Sequence, residues 1–318
     1  MIMDIIKRIE LAGIIPMIKL EKIDNALPLM GALTAGGISL CEIAFRTQIA
    51  KEALSLINKK CSNMTVGAST VLTTSQVDDA IDAGAKFIVT AGFNEKVVDY
   101  CIEKGVPIIP GVSTPSDIEK AYSREIFVVK FFPAVQSGGV EMLKVLSQPY
   151  PFMRFLPTGG INQANLNEFL MFNRVIACGG SYMVNDELIK EDRYDEITKL
   201  ARNAINAMLN LKLDSVGVNS LEKDKEEVTS KFATLLGAPF VYVEGEKVGD
   251  VVAISSPKKY GDCGCISFST PHLERAMYYL EQRGFVFSRD SIIKDNGKMN
   301  GIYLEGNIGG FAISLVKS

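Results

Sequence analysis

Through the first two thirds of the chain, short apolar runs recur at regular intervals. They are GIIPMIKL (13–20), ISLCEIAF (38–45), MTVGAST (64–70), KFIVTAG (86–92), VPIIPGV (106–112), IFVVKFFPA (126–134), MRFLPTGG (153–160) and RVIACGGS (174–181). These eight runs are nearly continuous and rich in Val and Ile, the pattern of a parallel strand covered on both faces. Between them lie segments with helical periodicity, among them IAKEALSLINKK, TSQVDDAIDAGA, NEKVVDYCIEKG, TPSDIEKAYSRE and NQANLNEFLMFN. Several open on Thr, Ser or Asn and close on Gly, as helix caps prefer. Eight strand–helix repeats in about 200 residues predict an α/β fold of the (β/α)8 TIM-barrel type. A doubly wound open sheet is the alternative, but no GxGxxG follows the first strand.

The pattern changes after ELIKEDRYDEITKLARNAINAMLN (187–210). SVGVNS predicts a strand, KDKEEVTSKFATLLGA an amphipathic helix, and FVYVEG and VGDVVAISSP two strands. The order then repeats: GCISFST, the helix PHLERAMYYLEQRG, and the strands FVFSRD, MNGIYLEG and GGFAISLVK. The expected organisation is a barrel domain at 1–212 and a small α+β domain of paired βαβββ-like units at 213–318.

Composition narrows the function classes. Lys and Arg number 34 against 37 Asp and Glu, a net charge of -3, so there is no basic footprint for nucleic acid. No apolar run approaches the ~18 residues that span a bilayer. The N-terminal MIMDIIKRIELAG lacks the uninterrupted apolar core of a signal peptide, so a cytoplasmic protein is expected. The cysteines stand at 41, 61, 101, 178, 263 and 265 without a CxxC pair, and read as reduced thiols, mostly core filler. One histidine, His272, excludes a His-cluster metal site within one chain and any Ser-His-Asp triad not built on it.

In a barrel the C-terminal strand ends carry function. Those ends offer Glu42, then Arg46 and Thr47; Ser69 and Thr70; Lys130, with Phe132 and Pro133; Thr158, Gly159 and Gly160; and Gly179, Gly180 and Ser181. Glu42 and Lys130 fall within strands, where either face is dry. Burial disfavours the charged form of an amine, and a neutral lysine can attack a carbonyl carbon to give a Schiff base. A carboxylate in the same interior could move the protons that this chemistry needs. A lone strand lysine is more often a snorkelling or edge residue, and Glu42 alone could form a structural ion pair with Arg46. Two charged groups in strands of one barrel raise the odds for each. The glycines after strands 7 and 8 could be simple turns, but they also stand where barrels hold phosphate.

In their order and spacing, LCEIAFRT, VGASTVL, FVVKFFPA, FLPTGGI and ACGGSYMV resemble the 2-keto-3-deoxy-6-phosphogluconate (KDPG) aldolase family, which includes 4-hydroxy-2-oxoglutarate (KHG) and 6-phosphogalactonate variants. The resemblance covers about residues 10–190. It implies that Lys130 is the Schiff-base lysine and Glu42 the general acid/base. It implies that Arg46, Thr70 and Thr158 hold the substrate carboxylate and that Phe132 packs near the imine. Gly159, Gly160, Gly179, Gly180 and Ser181 match the region that receives the phosphate and helps place the carboxylate. The implied reaction is a retro-aldol cleavage of a phosphorylated 2-keto acid to pyruvate and an aldehyde, with no metal and no cofactor, in a homotrimer. Three departures stand out: Ser69 where the family often has glycine, Ala91 where it has proline, and Tyr182 where tryptophan is common. They leave the aldehyde half open between glyceraldehyde 3-phosphate and glyoxylate.

The tail resembles a short glyoxalase/vicinal-oxygen-chelate fold. The places where that fold often holds a metal align with Ser215, Cys265 and Ser314, a poor set for a hard cation, so a metal-free domain serving assembly or ligand sensing is expected. His272 reads as a surface or capping residue, and KKYGDCGC (258–265) as an exposed loop. The competing readings are an epimerase or isomerase of sugar phosphates, which would not need Lys130, and a degenerate barrel with a sensing tail.

Overall fold

The computed structural model describes residues 2–237, 247–248, 251–255 and 261–318. It divides into two compact units, Met1–Met208 and Leu209–Ser318. The first has an α/β architecture with all strands parallel. Its strands are β1 (Ile14–Ile18), β2 (Leu40–Ala44), β3 (Thr65–Ser69), β4 (Ile88–Val89), β5 (Ile108–Ile109), β6 (Gly111–Val112), β7 (Val128–Phe131), β8 (Arg154–Pro157) and β9 (Cys178–Gly180). One sheet runs β5-β4-β3-β2-β1-β9 and another β6-β7-β8. Bridges Phe155↔Val175 and Thr158↔Gly179 join the chain of β8 to that of β9. Each of the eight apolar runs contains a strand. The fifth is split into β5 and β6 by Pro110, which has no N–H for a ladder.

The helices of this unit are α1 (Ile2–Ala12), α2 (Ala26–Ala35), α3 (Ala50–Lys60), α4 (Thr74–Asp82), α5 (Glu95–Glu103), α6 (Pro115–Tyr122), α7 (Gly139–Ser147), α8 (Leu166–Leu170), α9 (Asp186–Lys190) and α10 (Tyr194–Leu209). Their starts follow local chemistry. Thr73 and Asn94 accept from the backbone N–H groups of Gln76 and Val97. Thr114 forms a capping box: its hydroxyl accepts from Asp117 N at 3.3 Å, and the Asp117 carboxylate accepts from Thr114 N at 3.1 Å. Thr114→Ala is therefore expected to lower stability by about 1 kcal/mol, read as a shifted denaturant midpoint at unchanged slope.

The interior of this unit is layered. α1 presents Ile5, Ile9 and Ala12 to a cluster of Ile15, Leu40, Phe87, Val89, Ile109, Val128, Leu156, Ile176 and Ala177. Side chains two apart on a strand share a face. The strand that buries Leu40 therefore presents Glu42 in the next layer, and the strand that buries Val128 presents Lys130. An apolar floor thus fixes the positions of two charged groups above it.

Among the described residues, the second unit has a seven-stranded sheet of β10 (Lys212–Asn219), β11 (Lys247–Val248), β12 (Val252–Ser255), β13 (Gly264–Thr270), β14 (Phe287–Asp295), β15 (Lys298–Leu304) and β16 (Phe311–Lys317). The order is β11-β12-β10-β13-β16-β15-β14. β10 pairs parallel to β12 and β13 parallel to β16, while β10 and β13 pair antiparallel between the two halves. Helix α11 (Lys225–Leu236) packs Phe232 and Ala233 against Val248, Val252 and Ile254, and α12 (Leu273–Gln282) lies against β16. The expected strand FVYVEG lies outside the described residues, as do 258–260 of the expected loop KKYGDCGC. Within that stretch Gly264 and Cys265 belong to β13 and not to a loop.

Candidate active site

Lys130 sits on β7, in register with Gly111 of β6 and Leu156 of β8, and is 3% exposed. Its ammonium lies 5.4 Å from the centroid of the Phe132 ring, within cation–π range. Glu42 sits on β2 opposite Met17 and Gly67 and is fully buried. Both of its carboxyl oxygens lack a hydrogen-bond partner. Burial pushes the Glu42 pKa up; Lys130, then Ser69 and Arg46, oppose that rise. Lys130 and Arg46 thus both act on the Glu42 carboxyl. The Ser69 hydroxyl also draws it down, although neither group completes a hydrogen bond at normal distance.

Arg46, Thr70, Thr158 and the strand-end glycines differ in exposure and pairing. Arg46 is exposed just beyond β2 and donates from Nε to the Thr70 hydroxyl at 3.3 Å. Thr70 follows β3 with φ 55°, a left-handed conformation that a β-branched residue adopts only under constraint. Thr158 is buried, and its hydroxyl has no partner. A Cβ on Gly179 would stand 2.4 Å from that hydroxyl, so glycine is what lets β9 approach Thr158. Gly159 and Gly160 follow with φ of 100° and 77°, a turn open to glycine. Gly180 is buried beside the Tyr182 ring, whereas Ser181 is exposed.

Helix N-termini add little here. After β8 the helix α8 begins only at Leu166 and has five residues. After β9, α9 opens on Asp186 and Glu187, which disfavour an anion. Any phosphate held near β8 and β9 would rest on loop backbone instead.

In the second unit, Ser215 faces Ser267 and Ser267 faces Ser314 across adjacent strands. Ser267 and Ser314 hydroxyls are 2.7 Å apart, and Cys265 Sγ is 3.7 Å from each. Ser267, which the sequence reading did not select, is thus the centre of the group. Among the described residues no cluster of His, Cys, Asp and Glu could hold a metal ion. His272 occupies the N-cap position of α12, but its side chain caps nothing. It is half-buried rather than on the surface, with Nδ1 3.2 Å from an Arg275 nitrogen. Burial, with Arg275 and Lys317, pushes its pKa down to about 4.

The first unit thus holds a buried amine and a buried carboxyl in one parallel-stranded interior, a pair of groups of the kind that imine chemistry uses. The comparisons agree. The family model for KDPG and KHG aldolase matches residues 5–200, and the chain belongs to that family. A 2-dehydro-3-deoxy-phosphogluconate aldolase of Treponema pallidum is 44% identical over 201 residues, 63% of this chain and 96% of the relative. A KHG/KDPG aldolase of Escherichia coli is 38% identical over 192 residues, 60% of this chain and 90% of the relative. A crystal structure of KDPG aldolase from Legionella pneumophila, with pyruvate captured as a covalent carbinolamine intermediate, is 36% identical. It superposes with TM-score 0.61 over 63% of this chain and 97% of its own.

Proposed function

We propose that the first unit is a class I aldolase that cleaves KDPG to pyruvate and glyceraldehyde 3-phosphate, and KHG to pyruvate and glyoxylate. The observation that carries this reading is the burial of Lys130 and Glu42 in one interior, with Lys130 acting electrostatically on the Glu42 carboxyl. Lys130 Nζ attacks the C2 ketone to give a carbinolamine. Glu42, protonated, gives its proton to the C2 hydroxyl, which leaves as water, and an iminium remains. Glu42, now a carboxylate, takes the C4 hydroxyl proton. The C3–C4 bond breaks, its electron pair enters the iminium, and the aldehyde departs. The enamine is protonated at C3, and water releases pyruvate and Lys130. A carboxyl whose pKa is raised by burial suits both roles, because burial favours the protonated acid that the first step needs, while Lys130 nearby favours the carboxylate that the second needs.

Arg46, Thr70 and Thr158 hold the substrate carboxylate, Phe132 packs beside the imine, and the backbone of Gly159, Gly160, Gly179, Gly180 and Ser181 receives the distal phosphate. The close approach of β9 to Thr158 supports this arrangement. Gly179→Ala would force the Thr158 hydroxyl aside. The expected result is a KM for KDPG raised about tenfold or more with kcat changed less, measured by steady-state kinetics.

We further propose that the parallel strands form a closed (β/α)8 barrel; the β6–β7 and β8–β9 links beside the six-stranded sheet support closure. A homotrimer working in the cytoplasm on a charged small molecule, rather than on nucleic acid, fits the family and the net charge of -3. We assign residues 213–318 to a separate glyoxalase-like domain, metal-free, for assembly or ligand sensing. The pairing of two strand–helix–strand modules through antiparallel β10 and β13 supports that assignment. The test of function is pyruvate release from KDPG and from KHG, assayed side by side with and without a chelator. Cleavage of KDPG unaffected by chelator is expected; absence of pyruvate from both substrates would overturn the reading.

A further inference from the structure

Ser69 ends β3 and is fully buried, yet its hydroxyl has no hydrogen-bond partner. A hydroxyl in that state forgoes a bond that water would supply, so its retention in a dry interior calls for a reason. The register gives one. Glu42 of β2 lies opposite Gly67, and Ala44 opposite Ser69, so Glu42 and Ser69 share a face of the two neighbouring strands. Gly67 contributes no side chain, and the space there is taken by the Phe87 ring. Ser69 is thus the hydroxyl that β3 offers on that face one step beyond the Glu42 register.

Given the aldolase reading of Lys130 and Glu42, on which this assignment rests, we propose that Ser69 is a positioning residue. Its hydroxyl donates a hydrogen bond to the ionised Glu42 carboxylate during turnover and holds it toward the substrate. Hydrogen bonds that are long in the free enzyme tighten in the substrate complex. The other groups that bear on Glu42 are Lys130 from β7 and Arg46 from the segment after β2. Met17 of β1 and Phe87 are apolar, and the Cys41 thiol beside it on β2 is pushed up by its own burial first and by Glu42 second. Lys130 and Arg46 stabilise the carboxylate by charge, and neither is free of another task. Ser69 supplies the neutral donor, which the catalytic cycle leaves unchanged.

A donor to the carboxylate favours its charged form, so its loss raises the pKa of the base. In Ser69→Ala the acidic limb of kcat for KDPG, where Glu42 acts as the base in the enzyme-bound imine, is expected to move up by about one pH unit, since a hydrogen bond to a charged group carries about that much. A side chain that merely fills space would lower the plateau or the stability and leave the limb in place. Ser69→Gly also lacks the hydroxyl and carries the same expectation should the alanine variant fail to fold. Trapping pyruvate on each variant with borohydride and weighing the intact protein checks the lysine independently. A shifted limb with the adduct intact supports Ser69. A limb superimposed on the native one, with the adduct intact, overturns this assignment alone. No adduct on the native chain overturns the aldolase reading beneath it.

Discussion

Lys130→Ala is expected to lower kcat for KDPG cleavage by about 10⁴-fold or more, to the limit of detection, with the fold retained. The size follows from the loss of a covalent route. Without Nζ there is no iminium, and the C3–C4 electron pair has no sink. A residue that only positioned substrate would cost far less. The site should still bind the keto acid, because Arg46, Thr70 and Thr158 lie on other segments of the chain. Steady-state kinetics with a pyruvate-coupled readout measures the effect, and circular dichroism checks the fold. A variant within tenfold of native would mean that Lys130 is a structural charge.

Glu42→Gln carries the second large effect, in two directions. Activity is expected to fall by about 10²- to 10⁴-fold, the range of a lost general acid/base, and the bell-shaped dependence of rate on pH should lose the limb that Glu42 supplies. Stability should move the other way. Burial raises the Glu42 pKa in the folded chain above its ordinary value of 4.5. Above that ordinary value the folded state holds the proton more tightly than the unfolded one. Stability therefore falls as pH rises from about 4.5 through the folded pKa. Glutamine mimics the protonated acid and escapes this loss. Its melting temperature should exceed the native one at pH 8 and converge toward it near pH 4. Opposite signs for activity and stability mark a group kept for chemistry at the expense of the core.

The strands of the first unit were legible because nearly unbroken apolar runs leave little choice of structure, but the face that Glu42 and Lys130 take was left open until the cluster holding Leu40 and Val128 fixed it. The split of the fifth run was also available, since Pro110 cannot donate. Contacts between strands were not available. Ser69 could be seen as a strand-end residue, but its place beside Glu42 depends on the β2–β3 register. The same limit applies to Ser267. A β-bulge between Leu213 and Ser215 shifts the register of β10 on β13, so Ser215 meets Ser267 and not the residue that simple alternation would give. His272 stands at the N-cap position that its place before a helix suggests, but its ring lies half-buried near Arg275 and Lys317, neighbours that the sequence pattern does not show.

The most direct measurement is the intact mass of the protein after incubation with pyruvate and borohydride, with peptide mapping of any adduct. One reduced pyruvyl group per chain, located on Lys130 and absent from Lys130→Ala, is the predicted result. A native chain that remains unmodified under conditions in which it is folded, or an adduct on another lysine, would contradict the account.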